Sequence, residues 1–297
     1  MTLSISPNPW LIGLILNTVL ISLAFIAPKK LLTPAGYAHA WLLGVLVWGT
    51  LGWPGYGVVM FYFLVGSGVT RIGMAEKEAA GIAEKRSGMR GPENVWGSAL
   101  TGTLCGLGVL ALTWSQTGSL TPTLDPVLAP ATLDPATLSP SALNSVTPDS
   151  VTPDLVTLNS VALWIKLLVL GYVASFATKL SDTTASEVGK AYGRRTFLIT
   201  TLRPVPRGTE GAVSLEGTVA GFAASIAIAL VGWAVGLVTP WGIGICAVAA
   251  FVATNLESVI GATLQSQWTW LTNEVVNLIN TTIGAVVAIG LGWVVLR

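Results

Sequence analysis

Apolar residues gather into eight long stretches, at about 10–27, 37–52, 55–70, 95–114, 160–178, 217–237, 240–256 and 275–296. Each is near the ~20 residues that cross a ~30 Å hydrocarbon core at a rise of ~1.5 Å per residue. The pattern predicts an all-α polytopic membrane bundle of about eight transmembrane helices. The second and third stretches are the shortest and are joined by Gly52-Trp53-Pro54-Gly55, a turn-forming sequence.

Residues 116–158 break the pattern. They are rich in Pro, Thr, Ser and Leu, contain no Lys or Arg, and repeat Thr-Leu-Asp-Pro at 123–126 and 132–135 and Val-Thr-Pro-Asp at 146–149 and 151–154. Frequent proline blocks helix and ladder alike, so an extended or disordered outer loop without a catalytic part is expected. It divides the chain into an N-terminal half, 1–115, and a C-terminal half, 159–297, that carries most of the polar motifs.

Composition strengthens the membrane reading. With 52% hydrophobic and only 10% charged residues and a mean hydropathy of +0.72, the chain lies far from soluble domains, where about a quarter of residues are charged. Thirteen of its fifteen basic residues fall on one side of the eight-span arrangement, Lys166 and Arg297 being the exceptions. The positive-inside rule makes that side cytoplasmic and puts both termini outside. Residues 1–9 carry no basic residue, so the first span is expected to stay as an anchor and not to be removed as a signal. A formal charge of +1 gives no footing for nucleic acid. Cys105 and Cys246 both lie in apolar spans and imply neither a disulfide framework nor a zinc site, and the single histidine, His39, reads as interfacial.

Against this background the run from Lys179 to Gly193 stands out. If the apolar helix before it continues, Asp182, Ser186, Gly189 and Gly193 share one face at i, i+4, i+7 and i+11. Such a face suits a magnesium-bound polyphosphate: a carboxylate for the metal, glycines that admit phosphate oxygens, and Lys179 or Lys190 to balance charge. An ordinary amphipathic helix end is the alternative. Asp182, Glu187 and Glu257 are the candidate metal ligands. A second motif, Arg207-Gly208-Thr209-Glu210-Gly211, precedes a new helix start, where backbone N–H groups favour an anion and Arg207 offers a bidentate phosphate contact; a plain cap with small-residue packing is the alternative.

Two further groups are polar where the chain is otherwise apolar. Arg90 and Asn94 sit at the start of the fourth span, after a mixed-charge segment, 71–94, expected to extend the third span as a solvated surface helix. Asn273, Asn277 and Asn280 form an i, i+4, i+7 stripe on the last span, and such a stripe must face protein, water or ligand. Interhelical hydrogen bonding would also explain it. Neither a P-loop nor a nucleophile–histidine set is present, since Gly189-Lys190 is followed by Ala191 and His39 stands alone.

Arg86-x-x-x-Arg90 with Asn94, Ser181-Asp182-Thr-x-Ala-Ser186-Glu187-x-Gly189, Arg207-Gly-Thr-x-Gly-Ala-Val-Ser214-x-x-Gly217-Thr, and Glu257-Ser258-x-x-Gly261-Ala-x-x-Gln265 followed by Asn273, Asn277 and Asn280 occur in this order. Together they resemble the integral-membrane family of plant and cyanobacterial phytyl-phosphate kinases, formerly known only as a membrane domain, with a human transmembrane member. The Asp182 run alone is more weakly similar to CTP-using polyprenol kinases and phosphatidate cytidylyltransferases. The resemblance implies transfer of a phosphoryl group from a nucleoside triphosphate, CTP being favoured, with Mg2+, to a prenyl monophosphate such as phytyl phosphate. The product would be the diphosphate used for tocopherol and related prenyl lipids. In that reading Asp182, Lys179 and Arg207 act at the reacting phosphates. Ser186, Gly189, Lys190, Gly193, Gly208, Thr209 and Gly211 hold the nucleotide, and Arg90, Asn94, Asn273, Asn277 and Asn280 hold the lipid substrate. A lipid cytidylyltransferase or a cation-coupled transporter are the competing readings. The 116–158 loop departs from the family pattern.

Overall fold

The computed structural model describes residues 8–28, 30–83, 89–118, 120, 152–265 and 267–296, with residues 152–159 described by their backbone alone. The elements are α1 (Pro9–Ile26), α2 (Pro34–Val69), α3 (Met74–Ala79), α4 (Pro92–Thr117), α5 (Thr152–Tyr192), β1 (Thr196–Leu198), β2 (Ala212–Ser214), α6 (Leu215–Ala234), α7 (Pro240–Thr263) and α8 (Asn273–Leu296). Among the described residues seven helices, all but α3, are long and apolar enough to cross a membrane. Proline stands in the first turn of α1, α2, α4 and α7, where its fixed φ suits the helix and its missing N–H costs nothing. Asn8, Thr33 and Thr239 cap α1, α2 and α7 through their side chains.

The expected eight separate helices become seven because the second and third apolar stretches form one hydrogen-bonded run, α2. That run is not straight. Gly52 has φ 62 and ψ −157 inside it, a conformation open to glycine and strained for other residues, and Pro54 follows. A straight helix would hold Gly36 and Gly66 about 45 Å apart. Instead Gly36 backs onto the Arg90 carbonyl and Gly66 onto the Arg90 guanidinium, so the two arms of α2 lie side by side within one arginine's reach. The two arms correspond to the two stretches expected at 37–52 and 55–70. Asn17 confirms the hairpin from the other side: it abuts Gly44 on the first arm and accepts from Tyr56 Oη on the second at 2.9 Å.

α5 is the central post, packed by α2, α4, α6, α7 and α8. From Val169 to Thr184 every residue is buried, the mainly apolar turns up to Ala177 among neighbouring helices and the polar turns after it around the site. Its approach to α6 is close because Gly217 and Gly221 are spaced as small-xxx-small. A Cβ on Gly221 would stand 2.7 Å from the Ser181 carbonyl and one on Gly217 2.5 Å from that of Ala185. Outward side chains such as Leu11, Ile15, Leu23, Leu104, Val219, Val286 and Val294 are exposed, the pattern expected of a surface solvated by lipid. The two chain halves pack together through α4 on α5 and α8 and through α2 on α5 and α6.

Two boundaries differ from expectation. α5 begins at Thr152, so the last residues of the 116–158 segment are helical, while 121–151 lie outside the described residues. The 71–94 segment does not continue the preceding helix: Gly73, left-handed at φ 57, breaks the chain, and among the described residues between Gly73 and α4 the helix is α3, six residues long. Lys85 and Arg86 lie outside the described residues. Both ends of the described chain lie at the pole away from Arg90, where Trp10 Nε1 donates to the Leu120 carbonyl at 2.9 Å and the Trp164 and Trp293 rings meet at a tilt, 5.2 Å between centroids.

Candidate active site

At the Arg90 pole the ends of α2, α4, α5, α6, α7 and α8 and the β1–β2 hairpin surround a cavity of about 840 Å³. Arg90 is fixed there by a strap. Its N–H donates to the Leu31 carbonyl and its carbonyl accepts from Thr33 N–H, tying the start of α4 to the start of α2. Its guanidinium donates to Tyr62 Oη at 3.1 Å and lies 5.4 Å from the centroid of the Tyr62 ring, a cation–π contact that holds the charge at the wall.

The centre of the cavity is built on α5. Lys179 Nζ donates to Asp182 Oδ2 at 2.6 Å and to Asn277 Oδ1 on α8 at 2.7 Å. Glu257, carried by α7, lines the same cavity and interacts electrostatically with Asp182 and Lys179. Two carboxyl groups this close repel when both are charged, and a cation beside them relieves the repulsion. The nearly buried lysine already supplies one positive charge. A magnesium ion needs few protein carboxylates because water and phosphate oxygens complete its shell, and this donor pair fits that requirement.

Glu187 belongs to a different set. Its carboxylate accepts from Lys77 Nζ, and from Lys190 Nζ at 3.3 Å; Lys77 also donates to the Thr70 carbonyl at 2.8 Å. Lys77 and Glu187 are only 1% and 2% exposed. Asp182, Glu187 and Glu257 therefore do not form one metal cage, and among the described residues no group of three or more His, Cys, Asp and Glu does. The reason is helical geometry: five residues separate Asp182 from Glu187, which turns the second carboxylate about 140° around α5, toward α3. Lys77 was expected on a solvated face. Nothing local marks it as buried; the available signal was Glu187 itself, an acid at an apolar helix end that needs a cation.

The remaining sequence candidates divide. Ser186, Gly189, Lys190, Gly208, Thr209, Gly211, Asn94, Asn273 and Asn277 all border the cavity. Asn94 Oδ1 accepts from Gly91 N–H at 3.0 Å and so also closes the first turn of α4, and Asn273 accepts from Gln265. Gly193, Arg207 and Asn280 do not line it. Gly193 serves packing, since a Cβ there would stand 3.1 Å from Ser214 Oγ. The bare backbone of Gly189 likewise faces Ser214, which leaves less of it for a phosphate. Gly208 and Gly211 adopt φ values of 84 and 73, so each is needed for the turn, and Gly211 presses against the Ser258 carbonyl. The expected helix start directly after Gly211 is displaced by β2, and the α6 terminus is capped by Ser214, whose Oγ accepts from Gly217 N–H at 3.1 Å.

Arg207 is exposed and donates to the Ala191 carbonyl at 3.0 Å. It satisfies the C-terminus of α5, where unpaired carbonyls and the negative dipole end attract a cation. Arg207→Ala should therefore leave the Michaelis constants for both substrates unchanged and cost about 0.3–1 kcal/mol of stability. A tenfold rise in either constant, read by steady-state kinetics, would return Arg207 to the anion site.

Asn280 is fully buried, and neither its Oδ1 nor its Nδ2 has a partner. It lies about 10 Å further along α8 than Asn273, below the cavity floor, where α8 packs on α4 and α5. An unsatisfied buried amide costs about 1–3 kcal/mol, so Asn280→Leu should raise the melting temperature and retain turnover. Lost turnover in a folded Asn280→Leu protein would place the amide in the reaction after all.

Residues 17–285 match the family described as integral membrane protein DUF92. The chain belongs to this family. Every residue of the cavity wall, from Tyr62 to Asn277, falls inside that DUF92 match. The chain is 58% identical over 283 residues to an uncharacterized membrane protein of Synechocystis sp., sll0875, covering 95% of this chain and 91% of that one. It is 40% identical over 260 residues to the chloroplastic protein VTE6 of Arabidopsis thaliana, covering 87% of this chain and 64% of VTE6. A third relative, the uncharacterized membrane protein MJ0933 of Methanocaldococcus jannaschii, is 37% identical over 122 residues, 41% of this chain and 50% of that one. No solved structure matches. The DUF92 membership and the seven apolar helices make this an integral, multi-pass membrane protein.

Proposed function

We propose that this DUF92 protein transfers a phosphoryl group from a nucleoside triphosphate, CTP being favoured, to a prenyl monophosphate such as phytyl phosphate. The observation that carries the reading is the Lys179–Asp182 ion pair, with Glu257 lining the same polar cavity, at one pole of a lipid-facing bundle. That location suits an acceptor whose tail dissolves in the bilayer and whose phosphate stays at the interface. The likeness to VTE6 and the four ordered motifs support a prenyl-phosphate acceptor and a role in tocopherol or related prenyl-lipid synthesis.

The chemistry asks little covalent work of the protein. A non-bridging oxygen of the lipid phosphate attacks the terminal phosphorus of the nucleotide and the bond to its bridging oxygen breaks, giving lipid diphosphate and nucleoside diphosphate. Catalysis then rests on positioning and on neutralising the crowded negative charge. Lys179, Arg90 and Lys190 supply positive charge around the cavity. Ser186 supplies a hydroxyl donor, and Asp182 with Glu257 would hold Mg2+, which would add positive charge against the phosphates. We place this pole on the cytoplasmic side, where soluble nucleotide reaches it. Purified protein in lipid nanodiscs, given phytyl phosphate and Mg2+ with CTP, ATP or no nucleotide, should make phytyl diphosphate and the matching nucleoside diphosphate. A CMP-linked lipid with pyrophosphate, or no nucleotide-dependent product, would sink the kinase reading.

A further inference from the structure

The cavity wall includes two side chains that also face the lipid. Phe222 on α6 and Phe251 on α7 line it, yet they are 41% and 45% exposed. Their rings meet edge to face, 6.3 Å between centroids at 89°. The other sizeable apolar lining residues on spanning helices, Tyr62 and Val276, are buried. Phe222 stands about 10 Å into its helix from the cavity pole, beside exposed apolar Val219 and Val248, on a face whose apolar side chains suit acyl chains. A side chain open to lipid on one side and to the cavity on the other marks an opening in the wall.

Behind the pair the wall changes character in steps. Thr254, one turn on from Phe251, donates to Ser181 Oγ at 3.4 Å, and Ser181 immediately precedes Asp182. Glu257, a further three residues along α7, lines the cavity and interacts electrostatically with Asp182; it lies about 9 Å along the axis from Phe251 and about 120° around the helix from it. Aromatic, hydroxyl and carboxyl groups thus follow one another from bilayer to site, the order of polarity of an apolar tail joined to a phosphate.

The geometry points to a lateral entrance between α6 and α7, with Phe222 and Phe251 holding the isoprene units nearest the phosphate while the rest of the chain lies in the bilayer. This rests on the proposed prenyl-phosphate acceptor, and it moves the lipid path away from the asparagine stripe of α8. The pair then sets chain preference: a tail long enough to reach the rings gains contact, and a five-carbon tail does not.

The test uses a twenty-carbon prenyl monophosphate bearing a diazirine on its first isoprene unit, irradiated with the full-length protein in nanodiscs. Adducts on the α6 and α7 peptides that contain Phe222 and Phe251, displaced by unlabelled phytyl phosphate, are expected with or without nucleotide. The double variant Phe222→Ala, Phe251→Ala should lower kcat/KM for the twenty-carbon phosphate relative to the five-carbon one by at least about tenfold, as loss of several methylene contacts implies. Displaceable adducts confined to α4 and α8, or no displaceable adduct at all, would overturn the entrance. Adducts at the two phenylalanines without nucleotide-dependent turnover would keep the entrance and remove the kinase reading, whereas turnover with adducts only on α4 and α8 would do the reverse.

Discussion

Asp182→Asn should lower turnover by about two to three orders of magnitude, the scale of losing one preorganised electrostatic contact at a reacting centre, with the helical fold retained. The substitution keeps the side chain's shape and removes its charge. Lys179 keeps Asn277 as a partner at 2.7 Å and Glu257 as a nearby carboxyl, so the buried ammonium is not stranded. What disappears is one of the two carboxyl groups that fit a hard cation, and an amide oxygen is a poorer ligand for Mg2+ than a carboxylate. The checks are kcat with saturating phytyl phosphate and nucleotide, and the melting temperature in the same detergent. Raising Mg2+ should recover part of the loss. Near-normal turnover would remove Asp182 from the phosphate chemistry and leave it as a structural partner of Lys179.

Lys77→Met, behind the cavity wall, should be strongly destabilising, by about 3–5 kcal/mol, because removing one partner of a buried ion pair leaves the other charge uncompensated. Glu187 would retain only Lys190, 3.3 Å away and partly exposed. The Thr70 carbonyl would lose its donor at 2.8 Å, loosening the turn that joins α2 to α3. The double variant Lys77→Met, Glu187→Gln should recover much of the loss, since no charge is then left buried alone. Thermal unfolding of the two single variants and the double one measures this coupling. Additive effects would mean that Lys77 and Glu187 act independently and that the pair contributes nothing as a pair.

The two results would separate what the cavity contains into chemistry and support. Asp182 sits with Lys179 and Glu257 at the centre, and loss of function with retained fold is expected of it. Glu187 was read from the sequence as a third metal ligand. The structure gives both its oxygens to lysines, so loss of fold before loss of function is expected of that pair.

Much of the architecture was legible because its cause is local. A bilayer leaves no water to satisfy a backbone, so runs of about twenty apolar residues had to become helices, and their ends had to carry the polar residues. Thr33-Pro34 and Thr239-Pro240 announce helix starts, and Gly52 with Pro54 announces the reversal, although hydrogen bonding runs through the turn and makes one helix of two expected ones. The prominence of Lys179, Asp182, Asn277 and Glu257 was legible for a similar reason: each is polar where its own span is apolar, and burial of such groups calls for partners.

The pairings themselves were not legible. Lys77 and Glu187 are 110 residues apart and Lys179 and Asn277 are 98 apart, and no periodicity within a helix encodes which distant helix will pack against it. Arg207, read beside a glycine loop, looked like an anion contact until the fold brought it to the carbonyls ending α5. Asn280 shares a stripe with Asn273 and Asn277 in one dimension, but a helix that slants past a cavity leaves its deeper turns in the packed interior. The sequence by itself determined which segments cross the membrane and which pole is polar, because transfer from water to lipid acts on each segment separately. Which polar groups meet, and which are left to structure, was decided only when α5 was enclosed by five neighbours, because contact between side chains depends on the relative rotation and depth of whole helices.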